Sequence, residues 1–249
     1  MPENENGISE SKFAGVTLLI LSICLLVAFP QWLLLCIFAD NHLLFTMSCF
    51  FLSVLLLACI HLLEPLKYSR PWNFIAIAIC YELLTLGAAS FLMEWSLIHT
   101  IIIIAVALMF LVLSLLICFL LIWTGFFANP FKVAVVGAMG FVLAFCITQM
   151  DVLVAWFFWR DVAIGVFIFS VILVMICHVL ITYNNFEVLV KDDALLVGIV
   201  LYVIYLLLVL GCRVSANCIN RNIIYYKGTT AENGDINWED DEEDTTIYR

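Results

Sequence analysis

Two ionisable side chains sit where a hydrophobic chain can least accommodate them. Glu82 lies near the middle of an apolar run covering about 72–93, and His178 lies about five residues from the end of another covering about 162–183. A charged side chain at mid-bilayer costs about 2.5–3.5 kcal/mol on insertion scales, so Glu82 must face a bundle interior, carry a proton or meet a partner. Glu82 and His178 are therefore the candidate proton-sensing groups, set against the plainer reading of each as a hydrogen-bonded structural residue. If their helices touch, the two would titrate as a pair. Asp192 and Asp193 open the last apolar run, where the helix dipole favours negative charge and capping is the simple role. Tyr202 and Tyr205 stand one turn apart in that run and are expected to face the bundle with their hydroxyls bonded.

The elements that hold these residues are read from hydrophobicity. Of the 249 residues 65% are hydrophobic and 12% charged, with a mean hydropathy of +1.15, far from a soluble domain, in which charged residues approach a quarter. Apolar runs cover about 13–38, 44–63, 72–93, 98–123, 133–150, 162–183 and 194–212. Each is long enough for a membrane helix, which predicts an all-α polytopic membrane protein with a seven-helix transmembrane bundle over 13–212. A polar segment, 1–12, precedes it, and an acidic tail expected to be disordered, 213–249, follows it. The first run is too long and its start too acidic for a cleavable signal peptide, so it reads as a retained helix, with Pro30 as a kink site. Asn129-Pro130 breaks the chain before the fifth run, where Gly137 and Gly140 would allow close helix contact. Trp72, Trp95 and Trp123 mark membrane boundaries.

Charge and cysteine usage exclude several classes. The net charge of −10 is concentrated in the tail, where Glu232, Asp235, Glu239, Asp240, Asp241, Glu242, Glu243 and Asp244 supply eight of the twenty acids. No basic surface for nucleic acid exists, and the tail is a candidate contact for calcium or a basic partner. The ten cysteines fall mostly in apolar runs without metal-type spacing, so they read as small buried residues and no metal or cofactor is expected. No catalytic motif and no loop large enough for a soluble active site is found, so the chain does not read as an enzyme.

Orientation follows from basic residues. With seven spans, Lys12, Lys67, Arg70, Lys132 and Lys191 lie on the N-terminal side and Arg160 opposite, which puts the N-terminus in the cytoplasm. Arg213, Arg221 and Lys227 follow the last run and prefer the same side. The last run, nineteen residues without a formal charge from Ala194 to Cys212, either crosses or dips in and returns. Crossing is the expectation, because a helix of that length just spans about 30 Å of hydrocarbon.

Two stretches together resemble the Bax inhibitor/Lifeguard (transmembrane BAX inhibitor motif) family. The first is ACIHLLEPLKYSRPWNFIAIAICYELLTLGAASF, a basic loop followed by Pro71-Trp72-Asn73 opening a helix that reaches Gly87. The second is Asp192 to Gly211, in which an acidic pair precedes Leu201-Tyr202. The resemblance covers about 13–211 and implies a compact seven-helix fold with the last helix central. It also implies residence in the endoplasmic reticulum or Golgi ahead of the plasma membrane. The implied roles are restraint of programmed cell death and control of calcium stores through a pH-sensitive leak. The chain departs from the family at the leak itself. The paired aspartates of helices six and seven fall at Ile181 and Ile204, which can neither titrate nor supply the hard oxygen ligands that calcium needs. The expected function is a Lifeguard-like regulator that has lost the di-aspartate gate and acts with the lipid bilayer and other membrane proteins. The alternatives are an unrelated seven-helix receptor or transporter and a non-conducting scaffold.

Overall fold

Chain threaded through lipid has no water to satisfy its amides, so long aliphatic runs settle as helices whose backbone bonds are internal. The computed structural model describes residues 9–38, 43–63, 71–92, 96–125, 129–154, 157–190 and 193–232, and this part of the chain is all-helical. Its α-helices are α1 (Glu10–Phe38), α2 (Leu43–Leu62), α3 (Trp72–Leu92), α4 (Leu97–Trp123), α5 (Pro130–Val154), α6 (Phe157–Asn184) and α7 (Asp193–Glu232), with a 3-10 turn at Phe186–Val188. Six of these are long and apolar enough to cross a membrane, while the apolar window of α2 is shorter, Leu44–Ile60. These are the helices of an integral membrane protein.

The ends of the helices follow local chemistry. Helix α4 stops where Gly125 takes a positive φ of 66°, a conformation that glycine adopts without a Cβ penalty, and its N–H reaches the Ile122 carbonyl at 3.2 Å. Asn129 caps α5, its Oδ1 accepting the Phe131 N–H at 3.0 Å. The helix thus begins at Pro130, three residues before the expected start, because proline at the first position has no N–H to waste. Helix α1 continues through Pro30. Hydroxyls inside the helices bond back one turn, as Ser22 does to the Leu18 carbonyl and Ser114 to that of Phe110, which hides polar groups from lipid.

The largest departure from the sequence reading is α7. Its 40 residues correspond to about 60 Å, roughly twice the hydrocarbon thickness. The helix therefore does not end near residue 212, and residues 213–232 are helical where a disordered tail was expected. Arg213 and Cys218 are buried past the apolar run, and Arg213 Nη1 donates to Asn217 Oδ1 at 2.6 Å one turn on within the same helix. The acidic residues 233–249 lie outside the described part of the chain.

Helix α7 is the hub. It packs on α1, α3, α4 and α6, while α2 lies against α3 and α5 against α6. In its apolar window 61% of residues are buried, against 11% in α5, so α7 is core and α5 is rim. The outer faces are aliphatic, with Leu26, Ile102, Leu116, Phe119, Met139 and Phe145 all exposed, as expected of surfaces solvated by acyl chains. Small residues set the closest approaches. A Cβ on Gly140 would strike Ser170 Oγ of α6, and one on Gly198 of α7 would come within 2.8 Å of Ile20 in α1.

Contacts fix the relative direction of three helices. Gly198 meets Ile20 and Tyr205 stacks on Trp32, so α1 and α7 run the same way; Cys24 meets Tyr81 and Trp32 meets Thr85, so α3 runs with them. Near the starts of α1 and α7, Phe13, Phe186 and Ala194 form a small cluster, which brings the end of α6 to the same side. Helix α7 is continuous from Asp193 to Glu232 and does not turn back.

Candidate functional site

The core of the bundle contains a polar and aromatic knot built from α1, α3, α4 and α7. Tyr202 and Tyr205 are both 0% exposed. The Tyr202 hydroxyl is 2.7 Å from Thr85 Oγ1, which also donates to the Tyr81 carbonyl at 2.8 Å. The Tyr81 hydroxyl reaches across to the Cys24 carbonyl at 2.8 Å, and its ring lies 5.1 Å from that of Tyr202. Trp32 donates its indole N–H to the Thr85 carbonyl at 2.9 Å and stacks on Tyr205 at 6.3 Å with 19° between planes. The Tyr205 hydroxyl in turn donates to the Ile104 carbonyl at 3.3 Å. These hydroxyls and the indole have partners inside the bundle, two of them carbonyls that α1 or α4 presents to the core. Such an arrangement is a cross-brace: it satisfies polar groups in a dry interior and fixes helix register. It has no carboxylate.

Glu82 is not in that knot. It is exposed on α3 and meets the Gln31 amide of α1, with Nε2 3.4 Å from both carboxylate oxygens. Of the three options open to a mid-span acid, the structure shows the partner, on the outer face of the bundle. His178 is half-buried on α6. Helix α3 packs mainly on α1, α2 and α7, and α6 on α4, α5 and α7, and no bond joins Glu82 to His178 among the described residues. The condition set for pairing them, packing contact between their helices, is therefore not met among the described residues.

Ile181 and Ile204, the positions at which the resemblance would put paired aspartates, differ in environment. Ile204 is 3% exposed within the core and Ile181 is 42% exposed on α6. A carboxylate at 181 would stand outside the bundle and one at 204 inside it. Asp193 is buried at the start of α7, and its Oδ2 accepts the N–H of Val190, which precedes the helix, at 2.9 Å. Asp192 lies outside the described residues. None of the ten cysteines forms a disulfide, and Cys80 and Cys177 point their sulfurs at the carbonyls of Ser53 and Pro130. Among the described residues no group of three or more His, Cys, Asp or Glu side chains could hold a metal ion.

Sequence reasoning located Tyr202 and Tyr205 but missed Trp32, Thr85 and Gln31. A signal for two of these was present. Gln31-Trp32 interrupts a long apolar run with an amide and an indole well inside α1, away from the boundary where tryptophan ordinarily sits. Thr85 carried none, because a threonine in an apolar helix ordinarily bonds its own backbone. No family model, curated protein or solved structure matches this chain.

Proposed function

We propose that this chain is a multi-pass regulator of programmed cell death and intracellular calcium homeostasis, of Bax inhibitor/Lifeguard type, in which the di-aspartate calcium gate is lost and membrane partners carry the effect. One observation carries the reading. The last helix is the most buried and sits among α1, α3, α4 and α6, the arrangement that the resemblance implies, yet its core positions are filled by Tyr202, Ile204 and Tyr205. From Ala194 to Cys212 the hub offers calcium no carboxylate, and its hydroxyls are occupied by protein partners.

On this reading the chain crosses the membrane seven times, with the N-terminus in the cytoplasm of the endoplasmic reticulum or Golgi. The parallel course of α1 and α7 then puts residues beyond the bundle on the side opposite the N-terminus. Calcium efflux from proteoliposomes, followed from acid to neutral pH, is expected to show no pH-gated flux. In cells, expression is expected to raise survival under stress of the endoplasmic reticulum. A pH-gated efflux would overturn the loss of the gate, and unchanged survival would overturn the regulatory role.

A further inference from the structure

The outer face shared by α1 and α3 carries apolar side chains from both helices. Exposed Ile23 and Val27 on α1 and Phe74 on α3 flank a groove of about 290 Å³, with Ala78 in the α3 wall and Ile199 of α7 in its floor. Residues four apart share a helix ridge. The ridge through Ile23 and Val27 next reaches Gln31, and the ridge through Phe74 and Ala78 next reaches Glu82. The groove therefore leads to the carboxylate and amide pair, near the middle of α3.

That pair is short of donors. Charge-assisted bonds to a carboxylate usually measure about 2.7–2.9 Å, whereas Gln31 Nε2 stands at 3.4 Å from each Glu82 oxygen and brings no charge. The other end of the same amide, Gln31 Oε1, is buried and makes no hydrogen bond among the described residues. The two carboxylate oxygens of Glu82 thus share a single neutral NH2 group. The complement is a cation with several N–H donors and no acceptor, which among side chains means lysine or arginine. A second copy of this chain is poorly suited to supply it. Among the described residues Lys12, Lys132 and Arg160 sit in the first turns of α1, α5 and α6, Arg213 is buried, and Arg221 and Lys227 lie in α7 past the apolar span that ends at Asn220.

We propose that the α1–α3 face docks a partner's transmembrane helix carrying a lysine or arginine near its middle, with Glu82 as counter-ion. The helix lays its apolar side along the groove, and the cation meets the acceptor end. This deepens the reading that the chain works through membrane partners by naming their chemistry. Neither calcium efflux nor cell survival enters its test, so the two can fail separately.

The test uses full-length protein in phosphatidylcholine liposomes and fluorescence energy transfer to synthetic leucine-rich membrane-spanning peptides whose central residue is Lys, Leu or Glu. The Lys peptide is expected to associate about tenfold more tightly than the Leu peptide. Glu82→Gln, close in shape, should abolish that preference, Glu82→Asp should keep it, and Glu82→Lys should transfer it to the Glu peptide. Equal binding of Lys and Leu peptides would overturn the proposal, as would a preference that survives in Glu82→Gln. If dodecylamine fills the groove and the Lys peptide does not, the occupant is a lipid amine and the helix partner is wrong. Self-association lost in Glu82→Gln without any peptide preference would assign the face to a second copy and overturn it equally.

Discussion

The knot inside the bundle and the pair on its outside use polar residues in opposite ways. Around Tyr202 and Tyr205 the hydroxyls and the indole find partners within the protein, at 2.7–3.3 Å. At Glu82 the acid is exposed and, among the described residues, has only a long contact with a neutral amide. The difference teaches where stability and recognition are divided. Polar groups that are saturated internally fix how α1, α3 and α7 sit together, and a polar group left short of donors on a lipid-facing surface is available to something else. The substitutions below test that division, and they are expected to fall in stability cost as they move outward.

The largest effect belongs to Trp32. It is 0% exposed, bonds across to α3 and stacks on α7, so Trp32→Ala removes packing from three helices at once. A loss of about 3–5 kcal/mol is expected, the usual range for deleting a buried large aromatic side chain. Denaturant or thermal unfolding in detergent micelles measures it. A cost below about 1 kcal/mol would mean that the knot does not hold the core, and the contrast between inside and outside would break at its stronger end.

Gly140 and Tyr202 come next and sharpen the inner half. At Gly140 the backbone of α5 approaches Ser170 so closely that any Cβ collides, so Gly140→Val should force α5 from α6 at a cost of about 1–3 kcal/mol. The same unfolding transition reports it, with loss of α5–α6 proximity by cysteine crosslinking as a second readout. Tyr202→Phe keeps the ring and deletes one hydroxyl. Thr85 Oγ1 still donates to the Tyr81 carbonyl, so the loss should be about 0.5–1.5 kcal/mol. A larger loss for Tyr202→Phe than for Gly140→Val would show that hydrogen bonds rather than close packing dominate the bundle.

Much of the bundle was legible in the sequence, and the reasons for the exceptions are physical. Apolar runs with turn residues between them located every helix, because lipid demands uninterrupted hydrophobicity and the boundaries are abrupt. The beginning of α5 was misplaced because proline was read as a breaker and not as a first helical residue. The length of α7 was missed for a different reason: hydropathy falls after Cys212, but the helix continues with Arg213 and Cys218 still buried, which hydropathy does not register. At the candidate sites, the inward direction of Tyr202 and Tyr205 followed from their spacing. The direction of Glu82 did not. A helix that is hydrophobic on all sides has no amphipathic pattern to say which face is inside, so an acid in it carries its own address only after its neighbours are placed. Gln31, 51 residues away in sequence, is such a neighbour.

The smallest expected stability change is at Glu82 itself, and it separates the two halves of the comparison most clearly. Glu82→Gln retains an amide able to bond Gln31 while it removes the charge from a lipid-facing surface. Exposed substitutions away from packed features ordinarily move stability by no more than about 0.5 kcal/mol. Unfolding of the variant in detergent should therefore match the parent within that range. Membrane insertion should become easier, since a mid-span carboxylate is among the costlier groups on insertion scales, and glycosylation-mapping of an α3 segment in microsomes measures this apart from tertiary stability. Partner association, in contrast, should lose its preference for a central cation. A loss of stability comparable to that of Trp32→Ala would place Glu82 among the braces of the fold, and the division between an inner structural knot and an outer recognition pair would no longer hold.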